Sequence, residues 1–360
     1  MFTVRNQRVL TGMRTSSEEG LHLGHYVGAL TQWKAQQDNN EYECFYLLAD
    51  MQALTTHPGD PKALRESIRV TALDWLSVGL DPTLPHVHFV QQSMVPERHA
   101  LAVLLMQVTR YKVLMRNKTL QEELAGQADA SVGFMVYPVD QAADILMVCP
   151  PFGVSDPRLL VPVGRDQESH LELQRDIARA FNTMYGNILL PCVALFPEGE
   201  SAGRLVGTDG SGKMSKSKGN AIYLSDSTEV VRQKVMGMYT DPRKLAVSDN
   251  VPDTNDHPVF IYHRLFNPDQ GWVEQASEDY CTGKIGDVPI KKKLIPVLND
   301  LLDPIRAERA RHEALIRKRP QYLGEIVMRG TEVAGKETKR VVNEMQEAMG
   351  IAYPNLRKKR

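Results

Sequence analysis

Short apolar runs alternate with longer segments of helical periodicity through the first half of the chain, and this alternation constrains the fold more than any other feature. The runs and the helical segments that follow them are 8–11 with a helix from about 25, 43–49 with 61–78, 86–90 with 96–107, and 159–163 with 167–181. Strands that alternate with helices form βαβ units, in which the strands are parallel. The sequence therefore predicts an α/β fold with a parallel sheet.

The second part of the chain has a different pattern. Beyond residue 220 the sequence indicates helices, interrupted by Asp-Pro or Asn-Pro pairs at 241, 267 and 303, with little strand character. We therefore place a domain boundary near residue 225. This predicts a first domain over 1–225 with a helical insertion at about 96–158, and an all-helical domain over 226–360 that ends in a basic tail, 357–360.

Charge and cysteine content limit the class of protein. The chain has 43 Lys and Arg against 44 Asp and Glu, so contact with nucleic acid would need a local basic patch. Residues 284–319 are such a stretch, although a solvated helix face has the same composition. The four widely separated cysteines include no C-x-x-C pair, which predicts no zinc site and fits a reducing cytoplasm. No apolar run approaches the ~20 residues of a membrane-spanning helix, so we expect no membrane insertion.

A candidate nucleotide site follows the first strand, where His22-Leu23-Gly24-His25 leads into a helix. Exposed N–H groups at a helix start face phosphate, and the missing side chain of Gly24 lets adenine approach the backbone. The two imidazoles can donate hydrogen bonds to phosphate oxygens. Two histidines three residues apart can also simply share one side of a helical turn, but their position after the first strand favours function.

A second candidate is the stretch Lys213-Met214-Ser215-Lys216-Ser217. Two ammonium groups on a small loop suit a polyphosphate whose leaving side gains negative charge, whereas the usual meaning of a lysine-rich loop is a solvated turn. Residues 207–213 also spell the start of a phosphate-binding P-loop. Met214 stands where a P-loop needs Ser or Thr to hold magnesium, which argues against that interpretation.

The two stretches lie about 190 residues apart and together resemble the HIGH and KMSKS signatures of class I aminoacyl-tRNA synthetases. Four segments are similar to the tryptophanyl-tRNA synthetase family: LHLGHYVGAL (21–30), YPVDQAADIL (137–146), VPVGRDQESHLEL (161–173) and KMSKSKGNAI (213–222). This resemblance implies a Rossmann-like catalytic domain over 1–225 and a helical anticodon-binding domain over 226–360. It also implies ATP and L-tryptophan as substrates, Mg²⁺ bound mainly through the ATP phosphates, tRNA(Trp) as partner, and a homodimer.

The resemblance further assigns roles to residues. The implied catalytic residues are His22, His25, Lys213 and Lys216. The implied ATP site comprises Arg14, Gly24, His25, Gly164, Asp166, Leu205, Lys213, Met214, Ser215, Lys216 and Ser217. The implied tryptophan site comprises Tyr137, Gln141, Asp144 and Gln167. An ionised carboxylate only accepts and an indole N–H only donates, so Asp144 suits the tryptophan side chain and would reject phenylalanine.

The chain departs from the family pattern at several places, including Arg165 where many relatives have glutamate. The loop 14–20 is two residues longer than usual, so only Arg14 is kept from it, and Gln52 stands where many relatives have histidine. Two alternatives to the tryptophan enzyme remain open: a tyrosyl-tRNA synthetase, and a synthetase-derived regulatory or binding protein with weak tRNA charging. Small nucleotidyltransferases share H-x-G-H but are shorter and lack KMSKS.

Overall fold

The computed structural model describes residues 5–54, 59–197, 205–244 and 246–353, and the predicted basic tail 357–360 lies outside them. The strands are β1 (Gln7–Arg14), β2 (Glu43–Ala49), β3 (Val87–Gln91), β4 (Arg158–Pro162) and β5 (Val193–Leu195). The helices of the first part are α1 (Leu23–His25), α2 (Thr31–Asp38), α3 (Asp50–Ala53), α4 (Pro61–Ser77), α5 (Pro96–Val108), α6 (Tyr111–Leu114), α7 (Lys118–Ala125), α8 (Val132–Leu146) and α9 (Glu168–Tyr185). Those of the second part are α10 (Thr228–Met236), α11 (Pro258–Phe266), α12 (Gln270–Cys281), α13 (Asp287–Lys318) and α14 (Tyr322–Ala348). No helix in the described ranges is both long enough and apolar enough to cross a membrane.

The strands form one parallel sheet in the order β3-β2-β1-β4-β5, which confirms the predicted α/β fold. Every residue of β2 is buried, because helices cover both faces of the sheet. Alternate side chains of β2 enter different cores: Tyr46 joins one apolar cluster, and Phe45 and Leu47 join the other. The short edge strand β5 was not predicted, since three residues are too few to show an alternating pattern.

The chain order across the sheet reverses between β1 and β4. From β1 the chain proceeds outward to β2 and β3 on one side, and it later returns to add β4 and β5 on the other. Crevices outside the carboxyl ends of the strands at such a switch point are the usual ligand sites of open parallel sheets. The residues that follow β1 and β4 are therefore expected to line a site, and the candidate stretches 14–25 and 163–167 lie there.

Helix α14 packs back onto the sheet and covers the outer edge of β3. Thr331 Oγ1 accepts a hydrogen bond from the backbone N–H of Gln91 at 3.0 Å. A β-carbon on Gly330 would lie 2.3 Å from the carbonyl oxygen of Phe89, so only glycine allows this approach. Along the same helix, Val327 belongs to one core cluster and Val342 to the other. The last helix thus shields an otherwise open sheet edge and joins both cores.

Candidate active site

The HLGH segment, residues 22–25, is held in place by a backbone ladder to the residues that follow the KMSKS loop, 213–217. The N–H of Leu23 donates to the carbonyl of Ile222 at 2.9 Å, and the N–H of Leu224 donates to that of Leu21 at 2.9 Å. His22 and Tyr223 form the antiparallel bridge between these bonds. This pairing brings the two signatures together, although they are about 190 residues apart in the sequence.

The imidazoles of His22 and His25 stack with their centroids 3.8 Å apart. Burial and the nearby charge of Lys213 lower the pKa of His22 to about 4. Burial, His22 and Lys213 together lower the pKa of His25 to about 3. Both rings are therefore neutral at pH 7. His25 Nδ1 accepts a hydrogen bond from the backbone N–H of His22 at 3.2 Å, which leaves Nε2 of His25 as its N–H donor.

A short hairpin, in which residues 205–206 pair with residues 213–214, supports the start of the KMSKS loop. Val206 and Lys213 form an antiparallel bridge, and the N–H of Met214 donates to the carbonyl of Leu205 at 3.0 Å. Met214 is buried, and its β-carbon lies 3.6 Å from where a β-carbon on Gly24 would be. The same added atom would lie 2.9 Å from the ring of His22. Glycine at position 24 therefore leaves room for the ring of His22, while the distance to Met214 is an ordinary van der Waals contact.

The loop itself is fixed by side-chain contacts on one side. Asn220 Oδ1 accepts from the N–H of Ser215 at 2.7 Å, and Asn220 Nδ2 donates to Asp209 at 2.8 Å. Lys213 and Lys216 both lie at the surface. Lys216 Nζ pairs with Glu19 Oε2 at 2.5 Å, with side chains 44% and 50% exposed. Lys216 is thus engaged by the longer loop 14–20.

A cavity of about 350 Å³ opens at the carboxyl ends of β1 and β4. The predicted site residues that line it are Arg14, Gly24, His25, Gln141, Asp144, Gly164, Asp166 and Gln167. Of the other predicted residues whose side chains the structure describes, His22, Tyr137, Leu205, Lys213, Met214, Ser215 and Lys216 do not line it. The wall thus combines the HLGH helix with most of the predicted tryptophan site, while the KMSKS loop stands beside it.

Two glutamines meet across the cavity wall, since Gln141 Nε2 on α8 donates to Gln167 Oε1 at 3.2 Å. Tyr137 lies one turn earlier on α8 and is buried next to the cavity rather than on its wall. Its hydroxyl donates to Glu123 Oε2 at 2.8 Å and lies 3.2 Å from His170 Nε2. Burial and Glu123 raise the pKa of Tyr137, so the phenol stays protonated.

Asp144 is 2% exposed and receives hydrogen bonds from three side chains. Gln92 Nε2 lies 2.9 and 2.8 Å from its two oxygens, Gln52 Nε2 lies 3.0 Å from Oδ2, and Arg98 Nε donates to Oδ1. Burial raises the pKa of Asp144 to about 6, and Arg98 opposes that rise. The carboxylate is therefore ionised at neutral pH and accepts hydrogen bonds at the floor of the cavity.

Sequence reasoning did not identify Arg98, Gln92, Glu123 or Glu19. The position of Gln92 could have identified it, because this residue directly follows β3. Ligand-binding residues of parallel sheets usually lie at the carboxyl ends of the strands. Gln52 follows β2 in the same way and was noted only as a departure from the family. Arg98 gave no such signal, because an arginine in the first turn of a helix usually faces solvent.

The chain is similar to known proteins over most of its length. A family model described as tRNA synthetases class I (W and Y) matches residues 3–303. The tryptophan–tRNA ligase of Streptococcus mutans is 40% identical over 351 residues, which cover 96% of this chain and 98% of the relative. That of Treponema pallidum is also 40% identical over 351 residues, 96% of this chain and 97% of the relative.

A solved structure extends the likeness to three dimensions. The tryptophanyl-tRNA synthetase of Campylobacter jejuni, in complex with ADP and tryptophan, is 30% identical and superimposes with a TM-score of 0.77. The match covers 96% of this chain and 100% of that one. The relatives favour tryptophan over the tyrosine alternative. The chain belongs to the tryptophanyl-tRNA synthetase family of class I synthetases, ATP-dependent ligases that join tryptophan to tRNA.

Proposed function

We propose that the chain activates L-tryptophan with ATP to give tryptophanyl-adenylate and pyrophosphate, and then transfers the tryptophanyl group to tRNA(Trp). The observation that carries this proposal is the cavity at the switch point of the sheet, whose wall includes both the HLGH helix and the buried carboxylate of Asp144. A phosphate-binding helix start and an acceptor for an indole N–H thus belong to one cavity.

In the first step the tryptophan carboxylate attacks the α-phosphate of ATP and pyrophosphate leaves, so no protein nucleophile is needed. Catalysis then consists of holding the reactants in line and stabilising the phosphate charge. The neutral His25 donates from Nε2, and the stacked His22 restricts the orientation of its ring. Lys213 and Lys216 supply ammonium groups to the polyphosphate from the KMSKS loop.

Magnesium is proposed to enter with ATP. Within the described residues, no three His, Cys, Asp or Glu side chains converge in a way that could hold a metal ion. The phosphates would therefore provide most of the ligands, and the ion would neutralise part of their charge. The residues that hold the nucleotide are proposed to be Arg14, Gly24, His25, Gly164, Asp166, Leu205 and the KMSKS loop.

Tryptophan is proposed to lie with its indole N–H toward Asp144 and its amino group toward the pair Gln141–Gln167. The distance of 3.2 Å between those two amides shows that α8 and the turn after β4 meet here. Tyr137 supports this end of the cavity through its contacts with Glu123 and His170. A substrate that lacks the indole N–H would lose its hydrogen bond to the buried Asp144 carboxylate, which Gln92, Gln52 and Arg98 would still contact.

We assign tRNA binding to the helical part, 226–360. Not all of the basic stretch 284–319 is available for this, because Lys291 Nζ donates to the carbonyl of Met238 at 2.6 Å and Arg309 pairs with Asp74. Lys292, Lys293, Arg317 and Lys318 of α13 remain exposed and suit phosphate contacts. Since α14 packs on β3, the surface for tRNA is expected on the helices before it.

A homodimer is proposed from the family resemblance and from exposed apolar side chains on the helical insertion. Tyr111 on α6 is 68% exposed and Val132 on α8 is 78% exposed. Tyr111→Glu should lower the mass measured by light scattering if this face is the interface.

The four thiols are unpaired, which supports the proposed cytoplasmic location.

The decisive experiment is pyrophosphate exchange with each amino acid in turn, followed by charging of tRNA(Trp). Exchange that depends on tryptophan, together with stable charging, supports the proposal. Exchange that depends on tyrosine would contradict the assigned specificity. Exchange with tryptophan but no charging would instead favour the regulatory or binding protein.

A further inference from the structure

The carboxylate of Asp144 is held by a residue that does not belong to the cavity wall. Arg98 lies in the first turn of α5 and is fully buried at 0% exposure. Its Nε donates to Asp144, and its Nη2 donates to the carboxylate of Asp140 and to the backbone carbonyl of that residue at 3.0 Å. One guanidinium therefore joins two carboxylates that are four residues apart on α8.

The contact with Arg98 determines the geometry of the two carboxylates as well as their charge state. A planar guanidinium presents its donors in a rigid fork, so it restricts both the position and the rotation of the carboxylates that it pairs. Gln92 and Gln52 donate to the same carboxylate of Asp144 but are uncharged. Among the described residues, Arg98 is the cation in direct contact with Asp144.

We propose that Arg98 is a positioning residue for tryptophan recognition, which keeps the Asp144 carboxylate ionised and oriented to accept the indole N–H. The inference rests on the proposed role of Asp144 as that acceptor. Without the guanidinium, Asp140 and Asp144 would repel each other and Asp144 would take up a proton. A protonated carboxyl would then present a donor toward the N–H of the substrate, and the preference for an indole would be lost.

The charged groups around Asp144 determine its titration. Arg98 contacts Asp144 directly and Asp140 contacts Arg98, while Arg14, Asp166 and the neutral His25 lie on the wall of the same cavity. Burial raises the pKa of Asp144 to about 6, and Arg98 is the largest influence that lowers it. Removal of Arg98 therefore raises that pKa further. The acid limb of kcat/KM for tryptophan should move to higher pH.

The test compares tryptophan with β-(benzothiophen-3-yl)alanine, which has a similar shape but sulfur in place of the N–H. Arg98→Lys retains a charge but cannot bridge both carboxylates, and Arg98→Met removes the charge. Arg8→Lys is the matched control, because Arg8 is also buried and pairs with Glu337 at 2.8 Å outside the cavity. Asp144→Asn serves as the reference for loss of the acceptor. Thermal melting first selects the variants that fold.

We expect the unaltered protein to prefer tryptophan by about 10- to 150-fold in kcat/KM, the equivalent of about 1.5–3 kcal/mol for a hydrogen bond to a charged group. Arg98→Lys should raise the KM for tryptophan about tenfold, which is the effect expected from the loss of one hydrogen bond to a charged group. The kcat at saturating tryptophan should change little. It should also reduce the preference to a few-fold and move the acid limb upward. Arg8→Lys should lower the melting temperature but leave preference and pH profile unchanged.

Two outcomes separate the possible failures. If Arg98→Lys keeps the full preference and pH profile while Asp144→Asn loses them, Arg98 has only a structural role and the inference is overturned. If Asp144→Asn itself keeps the preference, Asp144 is not the indole acceptor, and the proposed recognition site fails before Arg98 is considered. Arg98→Lys carries this test even if Arg98→Met does not fold.

Discussion

The ion pair between Lys216 and Glu19 gives a prediction about the rate of activation. In the structure the ammonium group lies 2.5 Å from the carboxylate of Glu19, so Lys216 must leave this partner before it can contact the pyrophosphate of ATP. Glu19→Gln removes the competing charge and retains the size of the side chain. We therefore expect faster formation of the adenylate.

The exposure of the pair limits the size of the effect. Both side chains are close to half exposed, and exposed ion pairs contribute about 0.2–1 kcal/mol. If this contribution is lost when Lys216 moves to ATP, Glu19→Gln should raise kcat/KM for ATP by about 1.4- to 5-fold. The gain should shrink at high salt, because an exposed pair is screened.

The assay is tryptophan-dependent pyrophosphate exchange at two salt concentrations. Glu18→Gln is the matched control, since it removes the same charge one position earlier in the same loop. An equal gain in both variants would mean that the loop acts through its net charge rather than through the pair. A tenfold loss in Glu19→Gln would show that Glu19 helps to place Lys216, and the competition described above would be refuted.

Three further substitutions test other parts of the molecule. Lys216→Ala should lower kcat for adenylate formation by about a hundredfold with little change in the KM for ATP, because the leaving pyrophosphate gains charge in the transition state; a raised KM with unchanged kcat would indicate ground-state binding only. Because the pKa of Asp144 is about 6, the KM for tryptophan should rise as pH falls through that value. Asp144→Asn should raise this KM at pH 7 and abolish its acid dependence; an unchanged profile would mean that another group titrates. Gly330→Ala should destabilise the fold by about 1–3 kcal/mol in denaturant unfolding, because the added carbon would meet the backbone of Phe89, and unchanged stability would show that α14 can shift.

Helix α14 also changes how truncation experiments should be designed. Removal of all residues after 225 would expose the edge of β3 and remove apolar side chains from both cores. Loss of activity in such a fragment would therefore not report on tRNA binding. Substitution of Lys292 and Lys293 to alanine is a cleaner test. We expect the charging of tRNA to decrease and to become less dependent on salt, while pyrophosphate exchange is retained.

Local patterns of the sequence were sufficient for the fold class and for the two signatures. The alternation of apolar runs with helical segments predicted the parallel sheet, and β2 has the predicted bounds. The HLGH and KMSKS stretches could be found because each is contiguous and because their chemistry, donors at a helix start and paired ammonium groups, depends on neighbouring residues. The resemblance also supplied eight residues of the cavity wall, including Asp144 and Gln167, whereas the apolar part of the wall was not predicted.

Only the tertiary structure revealed the contacts that depend on residues far apart in sequence. Hydrophobic periodicity shows that a face is buried but not which partner buries it, so neither the packing of α14 on β3 nor the ladder between residues 21–23 and 222–224 could be predicted. Arg98 is the clearest case, because its charge indicated an exposed helix start. Its burial is stabilised by Asp140 and Asp144, which lie more than forty residues later and approach it only where α5 packs on α8.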